Sequence, residues 1–178
     1  MRIIAGSRKG HKLHDFDGMD IRPTTDRVKE SIFNLIQEYI QDAECLDLFG
    51  GSGALGFEAL SRGAKECTIV DIDQRSIDVI KKNSDSLALP GVSIVREDAM
   101  RYLEKTDKKF SVIFLDPPYN KGFIAPVIKA ICERDILSDE GIVMLESDFS
   151  DEHSEFGGLE IIKQRKYGRS YVTVYQRV

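Results

Sequence analysis

The sequence predicts an α/β fold, a mostly parallel β-sheet with helices on both faces. Three observations carry that expectation. Short apolar runs alternate with segments of helical periodicity from residue 45 to residue 145. A glycine-rich turn joins the first of these runs to the helical segment after it, and the chain closes on two strand-like runs with a short connection. Alternation at this rhythm favours parallel strands linked by helical crossovers. The closing pair reads as an antiparallel hairpin at one sheet edge.

Taken in order, residues 1–22 are rich in glycine and charge and predict a short hairpin or extended arm. Arg22-Pro23-Thr24-Thr25 leads into a helix that either threonine can cap, with Val28, Ile32, Leu35, Ile36 and Tyr39 as its apolar stripe. Strands are expected at 45–49, 67–72, 92–95, 112–115 and 142–145, and helices at 54–60, about 75–87, and 123–131. Pro90-Gly91 makes a turn before the third strand. Residues 159–163 and 171–175 form the last two strands, joined through 166–170.

At 178 residues the chain suits a single domain, 1–178, with enough interior to need no disulfide or metal staple. Its 42% apolar and 31% charged content is that of an ordinary globular protein. No stretch approaches the ~20 apolar residues of a membrane span, and the start lacks a signal peptide's apolar core, so a cytoplasmic protein is expected. Cys45, Cys67 and Cys132 are scattered and odd in number, and read as small buried hydrophobes in a reducing compartment. His11, His14 and His153 make no metal-ligand spacing with them, so no metal is expected. The net charge of −5 argues against non-specific nucleic-acid binding. Basic residues nonetheless cluster, as Arg2, Arg8, Lys9 and Lys12 without an acid, and as Lys163, Arg165, Lys166 and Arg169. Local basic patches on an acidic body suit docking on RNA at one place.

Ligands of such sheets sit beyond the carboxyl ends of the strands. After the first strand comes Leu46-Asp-Leu-Phe-Gly-Gly-Ser-Gly-Ala-Leu-Gly56, where Gly50, Gly51 and Gly53 let the backbone turn tightly and approach a ligand. Gly51, Gly53 and Gly56 also satisfy the dinucleotide spacing, with Asp71 twenty residues beyond Gly51, so a nicotinamide enzyme is a rival. Asp47 tilts the balance. A carboxylate before the turn suits the ammonium group of S-adenosylmethionine and would repel a pyrophosphate. Asp71 can accept hydrogen bonds from ribose hydroxyls, with Asp73 the other candidate. Asp98 can accept from an adenine amino group while the Ala99 N–H is offered to a ring nitrogen; a helix N-cap is the alternative for Asp98.

The sharpest signal is Asp116-Pro-Pro-Tyr119, directly after the fourth strand. Pro117 and Pro118 stiffen the chain and remove their own N–H groups, leaving the Asp116 carboxylate and the Pro117 carbonyl as acceptors. Two acceptors can hold the two hydrogens of a base amine and favour tetrahedral nitrogen as a methyl arrives. Tyr119 can stack on an extruded base.

On these residues the chain resembles the bacterial small-subunit ribosomal RNA guanine-N2 methyltransferases. The likeness runs from Met-Arg-Ile-Ile-Ala-Gly at 1–6 and Arg-Pro-Thr-Thr-Asp-Arg-Val-Lys-Glu at 22–30, through the glycine turn and Asp116 to Tyr119, to Tyr167-Gly168. The first two signatures are specific; the others are shared by many amino-methyltransferases. The resemblance implies a Rossmann-like class I methyltransferase fold with seven strands, the last antiparallel. It implies S-adenosylmethionine as cofactor and one guanine of 16S ribosomal RNA as substrate, in assembled or nearly assembled small subunits. It places Asp47 and the Gly50–Gly53 turn at the methionine portion, Asp71 at the ribose, Asp98 near adenine, and Asp116 to Tyr119 at the target base. No obligate protein partner is evident. Arg8, Lys9 and Lys12 are expected to dock RNA. The alternatives are an adenine-N6 DNA methyltransferase, which has little room here for a recognition domain, and a non-catalytic RNA-binding assembly factor.

Overall fold

The computed structural model describes residues 1–16, 26–118, 122–148, 156–168 and 170–177. The proposed threonine caps, Tyr119, His153 and Arg169 lie outside them.

The near-continuous apolar runs form β1 (Glu44–Asp47), β2 (Glu66–Asp71), β3 (Val92–Arg96), β4 (Phe110–Leu115) and β5 (Leu137–Asp148). The segments between them form α2 (Ala54–Ser61), buried along its whole length, α3 (Gln74–Leu87), α4 (Ala99–Lys105) and α5 (Ile124–Glu133), with α1 (Asp26–Ile36) ahead of the first strand. β6 (Leu159–Tyr167) and β7 (Ser170–Arg177) close the chain. All seven strands join one sheet in the order β3-β2-β1-β4-β5-β7-β6. The first five run parallel, and β7 runs antiparallel to both β5 and β6. This is the Rossmann-like class I methyltransferase arrangement that was expected.

The pleat sorts the core into two layers. Cys45, Cys67, Ile69, Val112, Phe114, Ile142 and Met144 pack beneath α1, α2 and α3. Their neighbours Leu46, Val70, Ile113, Leu115, Val143 and Leu145 pack against α4 and α5. Strands buried on both faces lack polar alternation, which is why the central runs are apolar throughout.

Two elements differ from expectation. Helix α4 was foreseen only through the N-cap alternative for Asp98, since its seven residues bury only Ala99 and Leu103 and carry too few apolar positions to show a period. Strand β5 starts five residues before 142. Phe110 pairs with Leu137 and Val112 with Ile142, so residues 138–141 loop out of register between the two pairings.

The amino-terminal segment doubles back on itself. The Ile3 N–H donates to the His11 carbonyl, Gly10 to Ile3, and Leu13 to Met1. This hairpin lies over α2 and α3 rather than at a sheet edge, with Ile3 and Leu13 in the core. At its tip Gly6, with φ +82°, comes so close to α2 that an added Cβ would stand 1.8 Å from the Ser61 carbonyl oxygen.

Candidate active site

Strand order reverses between β1 and β4, and the crevice at such a switch point is where ligands of open α/β sheets bind. Asp47 ends β1 on one side of it, and Asp116 follows β4 on the other.

The glycine turn is held in shape by two carboxylates. Asp71, at the end of β2, accepts from the Gly51 N–H at 2.9 Å and from the Asp73 N–H at 2.8 Å, one on each oxygen. Each oxygen can accept a further hydrogen bond. Asp47 accepts from the Gly56 N–H at 3.1 Å and so caps the first turn of α2 from the neighbouring strand. Gly50 must be glycine because a Cβ there would meet Ile69 at 2.4 Å. Gly53, with φ +79°, is the N-cap of α2, and a Cβ on it would strike Phe57 at 2.5 Å. At Gly51, by contrast, φ is +56° and a Cβ would meet nothing within 4 Å. Bare backbone there borders open space.

Asp47 is buried, and its Oδ1 has no hydrogen-bond partner in the protein among the described residues. Burial pushes its carboxyl up to about 7, the Gly56 N–H opposes that, and the nearby Asp71 charge adds to it. A buried acceptor with one oxygen unsatisfied at the edge of a glycine turn fits a ligand ammonium group, the feature by which S-adenosylmethionine differs from a dinucleotide. The donor set therefore fits that cofactor. Asp71 has the capacity for the ribose, and Asp47 for the amino-acid end.

Asp73 is occupied otherwise. It caps α3 through the Arg75 N–H at 2.9 Å and pairs with the Arg75 guanidinium at 2.7 Å, which holds its carboxyl below the usual range. Of the two acids considered for the ribose, Asp71 is the one placed on the turn. Asp98 is the N-cap of α4, accepting from the Arg101 N–H at 3.1 Å through Oδ1. Ala99 opens that helix, where N–H groups have no intrahelical acceptor. Asp116 is half-buried, Pro117 buried and Pro118 exposed, at the carboxyl end of β4.

Sequence reasoning missed two residues here. Ile72, directly after Asp71, is 63% exposed, an unusual position for a large apolar side chain and a flat surface for an aromatic ring. Asn83 is fully buried on α3 and donates to the carbonyls of Ser52 in the glycine turn and of His14, whose own N–H it accepts. Its place at i+3 from the buried Ile80 was the available signal.

The basic arm carries a structural contact of its own. The Arg8 side chain donates through Nε to the Leu87 carbonyl at 2.6 Å and through Nη2 to that of Ala88 at 3.3 Å, completing the carboxyl end of α3. Helix α2 runs from the glycine turn to Ser61, whose Oγ accepts from the Arg8 N–H at 3.0 Å, so the hairpin tip lies one short helix, about 11 Å, from the turn. Lys9 shares the same tip, while Lys12 is exposed farther up the hairpin. Arg8 is a tie between hairpin and helix.

A family model described as conserved hypothetical protein 95 matches residues 1–176. The Bacillus subtilis protein named "Putative rRNA methyltransferase YlbH" is 41% identical over 182 residues, covering 99% of each chain. The Escherichia coli ribosomal RNA small subunit methyltransferase D is 38% identical over 148 residues, 83% of this chain and 75% of that one. Among solved structures, "Putative methyltransferase yhhF" from Escherichia coli superposes with a TM-score of 0.91 at 35% identity, over 99% of this chain and 97% of the other.

Proposed function

This chain belongs to the conserved hypothetical protein 95 family, and from that premise we propose that it transfers a methyl group from S-adenosylmethionine to the exocyclic N2 amine of a guanine in 16S ribosomal RNA. The supporting observation is the switch-point crevice, with a cofactor-shaped glycine turn on the β1 side and Asp116-Pro117 on the β4 side. The names borne by its relatives give the substrate class. The whole chain acts as one methyltransferase domain, and its substrate is the small subunit at or near full assembly, in the cytoplasm.

S-adenosylmethionine supplies an electrophilic methyl group on a sulfonium. The protein's part is positioning and charge. Asp47 receives the ammonium and Asp71 the ribose hydroxyls, while Asp98 and Ala99 face the adenine. At the base, the Asp116 carboxylate and the Pro117 carbonyl accept the two N–H groups of the amine. That draws the nitrogen lone pair out of the ring as the new N–C bond forms and the S–C bond breaks. The product nitrogen is acidic, and its proton leaves to Asp116 or to water. Tyr119 stacks on the extruded guanine.

Purified protein incubated with labelled S-adenosylmethionine and unmodified small subunits, naked 16S RNA or DNA tests this, with mass spectrometry of the recovered nucleosides. N2-methylguanine from the small subunits is expected; label in N6-methyladenine from DNA, or none in any substrate, overturns it. Asp116→Ala should keep its cofactor affinity by calorimetry and lose at least a hundredfold in transfer, on the scale of one oxyanion-type contact. Near-normal turnover removes Asp116 from the chemistry.

A further inference from the structure

We propose that the carboxyl-terminal half of β6, with exposed Arg165 and Lys166, is the surface that grips the phosphates of the substrate RNA. This rests on the proposed RNA substrate and adds where that RNA lies.

Strand β6 is the free edge of the sheet. Its pairing with β7 and the pairing of β7 with β5 fix which residues share a row. Leu115 pairs with Leu145, Leu145 with Thr173, and Thr173 with Gln164. One step along each strand, Asp116 follows Leu115, Glu146 pairs with Val172, and Val172 pairs with Arg165. Arg165 therefore stands in the row of Asp116. Three strand spacings separate them, about 14 Å. The tight turn between β6 and β7 also faces the crevice end, since Tyr167 pairs with Ser170 and Ser170 with Asp148.

The charges on this edge differ in what they do. Lys163 is held by the Glu38 carboxylate at 2.7 Å and the Leu35 carbonyl at 2.8 Å, anchoring β6 to α1. Arg165 and Lys166 are exposed, and Lys166 lies 5.6 Å over the Tyr171 ring. Successive residues of a strand point to opposite faces, so Arg165 and Lys166 flank the edge, one on each side of it. Level with the crevice, they can neutralise phosphates of an RNA that crosses the edge while a base of it reaches into the crevice. Base extrusion requires the surrounding backbone to be held, and phosphate contacts set position without reading sequence. The competing account is that edge charges only keep the strand from pairing with another chain.

Two double variants decide between them, Arg165→Ala with Lys166→Ala and, as a control, Lys9→Ala with Lys12→Ala. Binding of labelled 16S RNA is titrated over a range of salt, methyl transfer to small subunits is measured in parallel, and association is followed by ultracentrifugation. Loss of two phosphate contacts should flatten the log K against log salt slope by about 1.5 and weaken binding several-fold at low salt, with the gap closing as salt rises. The control should match the unaltered protein, and Arg165→Lys with Lys166→Arg should restore the slope. Cofactor affinity should stay constant in all of them. A slope unchanged in the β6 variant overturns the proposal, whether or not the variant self-associates, and self-association with unchanged RNA binding assigns the charges to edge protection. If the unaltered protein methylates no ribosomal substrate, the proposed reaction fails while the binding titration still reads the surface.

Discussion

Asp47 has two tasks that pull its ionisation in opposite directions. It caps α2 through Gly56, which favours the carboxylate, and it is buried, which favours the acid. Burial dominates and puts the group at about 7. Because the folded value lies above that of the unfolded chain, the native state holds the extra proton between about pH 4 and pH 7. Stability from this group is thus fully present below about pH 4 and is lost progressively as pH rises to about 7. At about 1.4 kcal/mol for each tenfold change in proton activity, the ionised group costs the ligand-free protein on the order of 4 kcal/mol at pH 8. Asp47→Asn keeps an acceptor for Gly56 and removes the charge. It should therefore raise the melting temperature at pH 8 and leave it nearly unchanged at pH 4, as read by thermal denaturation in both buffers. In the unaltered protein, cofactor affinity should strengthen from pH 6 to pH 8 as the ammonium gains a carboxylate partner, and the variant should lose that dependence. Equal pH profiles for the two proteins would mean that Asp47 meets no ammonium. The position of this aspartate was legible in the sequence from its place before the glycines. Its unsatisfied oxygen was not, because burial depends on what packs above the strand.

Among the elements, α1 and α2 show why some residues resist reading. Lys29 and Glu58 are both fully buried and 3.3 Å apart, and burial pulls the lysine down from its usual range. Glu58 also accepts from the N–H groups of Ile4 and Ala5 and from Arg62 at 2.8 Å, and Arg62 lies 4.8 Å from the Phe33 ring. One carboxylate thus gathers α1, α2 and the amino-terminal hairpin. In sequence, a lysine or glutamate on an amphipathic helix reads as a solvated face, and only a partner more than twenty residues away says otherwise. The apolar stripe of α1 was recognisable because Ile32 and Ile36 repeat at helical spacing. Helix α4 was legible only at its cap because two buried residues make no period. Removing one partner of a buried charge cluster leaves the others uncompensated, typically at a cost of about 3–5 kcal/mol. Glu58→Ala should lose stability on that scale in urea denaturation, with faster amide exchange at Ile4 and Ala5. Lys29→Met should cost less, since Glu58 keeps Arg62 and two backbone donors. The reverse order would place the centre of the cluster on the lysine.

At the scale of the molecule, the two ends of the sheet divide the labour. The carboxyl ends of β1, β2 and β4 carry Asp47, Asp71 and Asp116, while the opposite end carries the hairpin tip, with Gly6 against Ser61 and Arg8 on Leu87. The sequence pointed to the first end because its motifs each follow a strand, and position after a strand fixes a side of the sheet. It left the second unread because a run of basic residues carries no information about the end of the sheet on which a hairpin folds. One residue spans the gap, Asn83, which joins Ser52 of the glycine turn to His14 of the hairpin. Cofactor binding is therefore expected to quiet one end and not the other. At a hundred times its dissociation constant, a ligand specific for the native state adds about 2.7 kcal/mol, which for a domain of this size raises the melting temperature by about 8 °C. In hydrogen exchange the added protection should concentrate in the glycine turn, at Asp71 to Asp73, and at the start of α4. The Gly6–Gly10 tip should exchange as before, because its hydrogen bonds run to the far ends of α2 and α3. If protection instead reaches the tip, the two ends are coupled. The path would then run through Asn83, and Asn83→Ala should abolish the spread while leaving protection of the glycine turn in place.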